Sequence, residues 1–197
     1  MHTESLNVVY FDKDTSFDYL YPRRIQNLSE MHWTPLEIAK KSSEYLSGPN
    51  SKVLDIGSGV GKFCIVAGFF EPETLFYGVE QRNDLFNLAE SVKNTLVLPN
   101  VKFIHNNITA LDFDLFDSFY FFNSFYENIK PDLGIDTKIE ANAELYSYYT
   151  NYVYQQLDQR PSGTRLVTYH GSIKQIPSSY KLIDNTHHYA LKMWMRE

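Results

Sequence analysis

Cysteine is nearly missing. Cys64 stands alone in 197 residues, which excludes an internal disulfide framework and a cysteine-built zinc site. Long apolar stretches are missing too. The longest, Cys64 to Phe70, is 7 residues and contains Gly68, whereas a membrane-spanning helix needs ~20. The opening residues, from Met1 to Asp14, carry charges early and have no apolar centre, so no secretory signal is expected. A reducing, cytoplasmic setting without a membrane partner is expected. Positive charge is scarce: 18 Lys and Arg against 24 Asp and Glu leave a formal net charge of −6. That balance argues against sequence-independent binding to a nucleic-acid backbone. Nucleic acid stays possible as a partner but is not favoured. Internal repeats and low-complexity tracts are absent, which excludes a solenoid.

Aromatic residues are abundant, at 16% of the chain with 15 Tyr and 14 Phe. They can fill a sizeable core and leave rings over for a ligand pocket. The length suits one domain. Residues 1–33 mix rings and charges (Tyr10, Phe11, Phe17, Tyr19, Tyr21, Trp33) and read as an irregular N-terminal arm over a domain of residues 34–197. Thr34 has the chemistry of a helix N-cap. Pro35 suits the first helical position, and Glu37, three residues after the cap, completes a capping box. This helix is expected to end near Gly48-Pro49.

Strands and helices then alternate. The pattern predicts strands at Lys52–Ile56, Leu75–Glu80, Val101–His105, Phe116–Phe122 and Arg165–His170, with helices over Gly61–Phe70, Asp84–Thr95 and 137–158. Two more strands, Tyr180–Ile183 and His188–Met195, follow with a turn expected at Asp184-Asn185. A connection that short cannot carry a parallel crossover, so one of the two runs antiparallel. The expected fold is α/β: a doubly wound, mainly parallel seven-stranded sheet with a C-terminal antiparallel hairpin. No metal site is expected. His187 and His188 are adjacent in a strand-like stretch and would point to opposite faces. His105 and His170 fall at strand tips, where they can line a cleft.

The strongest signal runs from Val53 to Phe63, where a buried strand enters a loop with Gly57, Gly59 and Gly61 before a helix. Glycines let backbone approach a ligand closely, and the helix start offers free N–H groups. A phosphate loop would need a glycine five residues before Gly61, where Ile56 stands, and Ser or Thr after Lys62, where Phe63 stands. A dinucleotide loop starting at Gly57 would need glycine where Lys62 stands. The spacing D-x-G-x-G-x-G is matched at Asp55, Gly57, Gly59 and Gly61. Glu80 ends the next strand, 19 residues past Gly61, where an acid can accept hydrogen bonds from two ribose hydroxyls.

This loop resembles the first motif of class I, Rossmann-like S-adenosylmethionine-dependent methyltransferases. The resemblance implies S-adenosylmethionine as cofactor. It implies that Asp55 reaches the cofactor's amino group, that Gly57, Ser58, Gly59 and Gly61 form the loop beside it, and that Glu80 and Gln81 lie at the ribose. Asn107 with Ile108 fits the position that binds adenine in many of these enzymes, and Thr34-Pro35 resembles an element facing the cofactor carboxylate. After the fourth strand, Asn123-Ser124-Phe125-Tyr126 resembles a degenerate N-P-P-Y/F motif of amino-group methyltransferases, with Ser124 and Phe125 replacing both prolines. That resemblance implies that Asn123 orients an amine while Tyr126 packs on the target. Tyr21 and Trp33, from the arm, are candidate lids. The stretch Asp55–Gly61 is also similar to the first motif of non-SET lysine methyltransferases. The expected activity is methyl transfer to an acceptor, an amine nitrogen on a small molecule or a protein side chain. Two alternatives stay open: a catalytically silent S-adenosylmethionine-binding protein on the same fold, and a nicotinamide-dependent oxidoreductase.

Overall fold

A computed structural model of the chain describes residues 8–125, 135 and 142–197. Strands β1 (Lys52–Ile56), β2 (Leu75–Glu80), β3 (Val101–His105), β4 (Ser118–Phe121) and β5 (Arg165–Tyr169) run parallel. Beyond β5 come β6 (Tyr180–Thr186) and β7 (Leu191–Arg196), and β7 runs antiparallel to both β5 and β6. The order across the sheet is β3-β2-β1-β4-β5-β7-β6. This is the seven-stranded, mainly parallel sheet with a closing hairpin that the alternation predicts.

The arm carries three short helices, α1 (Asp14–Asp18), α2 (Arg23–Gln26) and α3 (Ser29–His32), rather than irregular backbone. Then come α4 (Leu36–Leu46), α5 (Lys62–Phe70), α6 (Asn83–Leu96) and α7 (Ala143–Asp158). The predicted start of the last helix, residues 137–141, lies outside the described residues. Side chains of successive strand residues alternate between faces. Val53, Tyr120 and Val167 enter one core with α4, α5, α6 and the arm residues Phe17, Tyr21 and Trp33. Leu54, Phe119, Phe121 and Leu166 enter a second core with Val153 and Leu157 of α7. Helices on both faces explain why β1 and β4 are apolar almost throughout.

Two local expectations are corrected. The capping box at Thr34 does not form: α4 follows Pro35 with no side-chain cap. Thr34 Oγ1 instead meets the hydroxyl of Tyr120 at 2.9 Å, because that hydroxyl is buried and needs a partner. Asp14 of the arm takes over the cap, accepting from the Leu36 N–H at 3.0 Å. The hairpin does not reverse at Asp184-Asn185. The strand continues through a bulge between Leu182 and Asp184 to Thr186, which pairs with Leu191. The reversal falls at His187, His188 and Tyr189, all left-handed with φ of 54°, 54° and 66°. Pairing of β7 with β5 sets this register, since Leu191, Met193 and Trp194 must be buried.

Candidate active site

The strand order reverses between β1 and β4, and a cavity of ≈ 550 Å³ opens beyond their carboxyl ends. Open α/β sheets bind ligands at this point. The β1 tip supplies Asp55 and the glycine loop. A Cβ at Gly57 (φ 76°) would lie 2.6 Å from Cβ of Ser124, so the loops after β1 and β4 touch. The Ser124 hydroxyl also donates to the Ile56 carbonyl. A Cβ at Gly61 (φ 82°) would lie 2.3 Å from the Phe103 ring. Gly57, Ser58 and Gly59 line the cavity, whereas Gly61 does not and serves the turn and the packing. Gly61→Ala is therefore expected to lose about 2 kcal/mol or more, from left-handed strain plus the clash. A lowered urea midpoint with unchanged m checks this.

Asp55 is wholly buried, and the Cys64 thiol donates to it across 3.6 Å. Burial raises its carboxyl from 3.8 to about 8; the thiol hydrogen bond pulls it down, and the negative charge of Glu80 pushes it up. Ser58 Oγ is buried with no hydrogen-bond partner. At the β2 tip the Glu80 carboxylate is buried and accepts from the Gly59 N–H at 2.9 Å and the Arg82 N–H at 2.7 Å. The acid thus ties the glycine loop to β2.

Past β3, the Asn107 amide donates to Gln81 Oε1 at 3.1 Å and to the Tyr149 hydroxyl at 2.9 Å, and its oxygen accepts from the Thr109 N–H at 3.0 Å. These partners hold the amide in one orientation. Ile108 lines the same wall. Asn123, with φ 40°, lines the β4 side, and Tyr169 and His170 line the β5 side. Tyr126 lies outside the described residues.

The arm closes the remaining side. Trp33 and Thr34 line the cavity, while Tyr21 sits behind the loop and donates to the Val60 carbonyl at 2.9 Å. Sequence reasoning missed Lys62. Only 3% exposed, it makes ion pairs to Asp14 at 2.6 Å and Asp18 at 3.1 Å, with the rings of Phe17 and Trp33 at 5.1 and 5.5 Å. A signal was there: a lone cation opening the otherwise apolar helix KFCIVAGFF. Tyr149 and Tyr169 were missed as site residues and carry no such signal.

The cavity brings together Thr34, Asp55, Gly57, Ser58, Gly59, Glu80, Gln81, Asn107, Ile108 and Asn123. The orphaned Ser58 hydroxyl and the single-partnered Asp55 carboxyl fit a polar chain at one end. The fixed Gln81–Asn107 edge suits a purine-sized ring at the other. Among the described residues no group of three or more His, Cys, Asp or Glu is placed to hold a metal ion, and no helix is long and apolar enough to cross a membrane.

The sheet order, the glycine loop at the β1 tip and the acid at the β2 tip define the class I fold of S-adenosylmethionine-dependent methyltransferases. The chain belongs to the methyltransferase-domain family, whose model matches residues 47–158. Over 88 residues it is 31% identical to a tRNA (guanine-N(7)-)-methyltransferase of Prochlorococcus marinus (strain NATL1A), a match covering 45% of this chain and 41% of that protein. The chain thus matches less than half the length of this relative. Solved structures share the fold, two of them as follows. TrmN from Thermus thermophilus has a TM-score of 0.59 at 14% identity, covering 88% of this chain and 51% of that one. An RNA methyltransferase from Salinibacter ruber, in complex with S-adenosyl-L-homocysteine, has a TM-score of 0.55 at 16% identity, covering 83% and 91%.

Proposed function

We propose that the cavity binds S-adenosylmethionine and that the protein transfers its methyl group to a nitrogen of an acceptor presented at Asn123. The observation that carries this reading is the meeting of the Asp55–Gly59 loop and Glu80 in one cavity beside an open Asn123, in a chain of this family. Asp55 and the wall at Thr34 hold the amino-acid end, Glu80 the ribose, and Gln81, Asn107 and Ile108 the adenine. The bound cofactor supplies an electrophilic methyl group. The protein's task is alignment and exclusion of water. The Asn123 side chain, held by a β4 loop tied to Ile56 through Ser124, orients the nucleophile. Tyr126 packs on the target.

A calorimetric titration tests the binding: S-adenosylmethionine and S-adenosylhomocysteine bind, and NAD does not. Tight binding of NAD instead makes the protein an oxidoreductase. Asn123→Ala is expected to change cofactor affinity by no more than about twofold and to slow single-turnover transfer by about 100-fold, through lost orientation. A second acceptor class, RNA, is favoured by the match to the tRNA methyltransferase. Label from the cofactor's methyl group, followed into RNA, protein and small-molecule fractions of an extract, separates the classes.

A further inference from the structure

Polar side chains in the cavity divide into two sets. At the cofactor end most are committed to one another or to backbone, the Ser58 hydroxyl excepted: Thr34 to Tyr120, Asn107 to Gln81 and Tyr149, Glu80 to Gly59 and Arg82. At the tips of β4 and β5, Ser124 is bonded to the Ile56 carbonyl and three others are not committed. Asn123, Tyr169 and His170 line the cavity and make no side-chain hydrogen bond among the described residues. Asn123 and Tyr169 are half-buried and His170 is exposed, so water can reach all three, and a ligand entering the cavity finds their donors and acceptors free of protein partners. The same wall is aromatic. Tyr169 contacts His170 with centroids 4.2 Å apart, and Phe122 lies 4.7 Å from Tyr169 and 5.9 Å from His170.

Charge narrows what fits. Partial burial, together with the positive charge of Lys192, lowers the His170 pKa, which favours a neutral ring. Lys192 itself is buried and donates to the Gly171 carbonyl at 3.3 Å. Asp14, whose field reaches Tyr169, is already paired with Lys62, and Asp55 holds its proton up to about pH 8. A cationic aliphatic amine entering here meets a lysine behind the wall and no carboxylate on the wall itself, the exposed Glu30 lining the cavity from the arm.

From the proposed methyltransferase function, the geometry points to the acceptor group. Phe122, Asn123, Tyr169 and His170 form a subsite for an uncharged planar heterocycle whose edge both donates and accepts hydrogen bonds. The ring packs on Phe122 and Tyr169. Asn123 offers a donor and an acceptor, and the Tyr169 hydroxyl and His170 imidazole complete its edge. A free heterocycle and a base within RNA share this chemistry.

The test is calorimetry on the full chain saturated with S-adenosylhomocysteine, which occupies the cofactor end. Titrants are guanosine, cytidine, putrescine and a ten-nucleotide single-stranded RNA. At least one heterocycle or the RNA is expected to bind, and putrescine neither binds nor competes. Tyr169→Leu lowers heterocycle affinity about tenfold, the usual loss of one stacking partner. His170→Gln lowers it less, because the amide still bonds. Both variants keep their affinity for S-adenosylhomocysteine, which shows that they are folded. Tighter binding of RNA than of nucleosides assigns the ring to a polymer; equal binding assigns it to a free heterocycle. Failure of all heterocycles and RNA to bind the saturated protein, or competition by putrescine, overturns the subsite while leaving the cofactor reading intact. Failure of S-adenosylhomocysteine itself to bind overturns the function first.

Discussion

Replacing Lys62 by methionine is expected to destabilise the protein by about 3 kcal/mol and to weaken cofactor binding about tenfold, through a contact made by the arm rather than by the glycine loop. Methionine keeps most of the side-chain volume, so packing against Phe17 and Trp33 survives. The charge does not. Asp18, only 13% exposed, would lose its cation and face the like charge of Asp14. Asp14 is 46% exposed and can turn to water, which keeps the loss from being larger. Turning away releases the Leu36 N–H that Asp14 caps, and with it the start of α4 and the Thr34 wall. Urea denaturation and a cofactor titration read the two effects. Asp18→Asn combined with Lys62→Met should recover part of the stability, since it removes one unpaired charge. Full stability in Lys62→Met alone would mean the arm is held by its rings.

Asp55 governs the second large effect. Its carboxyl titrates near 8 in the folded chain against an ordinary value of 3.8. Between those values the folded state keeps a proton that the unfolded chain has released. The stabilisation is therefore complete below about pH 4, declines as pH rises through the window and is gone above about pH 8. Asp55→Asn should flatten this slope. Cofactor affinity should run the other way. On the proposed reading the Asp55 carboxylate meets the cofactor's ammonium group and must first lose its proton, so binding strengthens up to about tenfold per pH unit below pH 8 and then levels off. Calorimetry in buffers of different ionisation heat should find one proton released on binding at pH 7, and none with Asp55→Asn. A pH-independent affinity in the unchanged protein would remove Asp55 from the amino-group site.

The glycine loop, the alternation of strands and helices and the closing hairpin were legible because each is encoded within a few consecutive residues. Glycine spacing sets a turn, period-two burial sets a strand, and a short connection forbids a parallel crossover. The places of Asp55, Glu80 and Asn107 on the cavity wall were legible for the same reason, as polar residues at or just past the ends of recognisable strands. What a polar side chain bonds to is not encoded that way. Thr34 looked like a helix cap and instead serves a tyrosine hydroxyl 86 residues away. Asn107 is held by Tyr149, 42 residues on, and Lys62 by an aspartate 48 residues before it. The hairpin turned three residues later than its turn-forming residues suggested, because burial of β7 against β5 outweighed them. Local sequence thus specified the elements and the glycine loop that lines the cavity. Packing decided which polar groups are used up and which stay open, because a buried donor takes whatever acceptor the folded elements bring within reach.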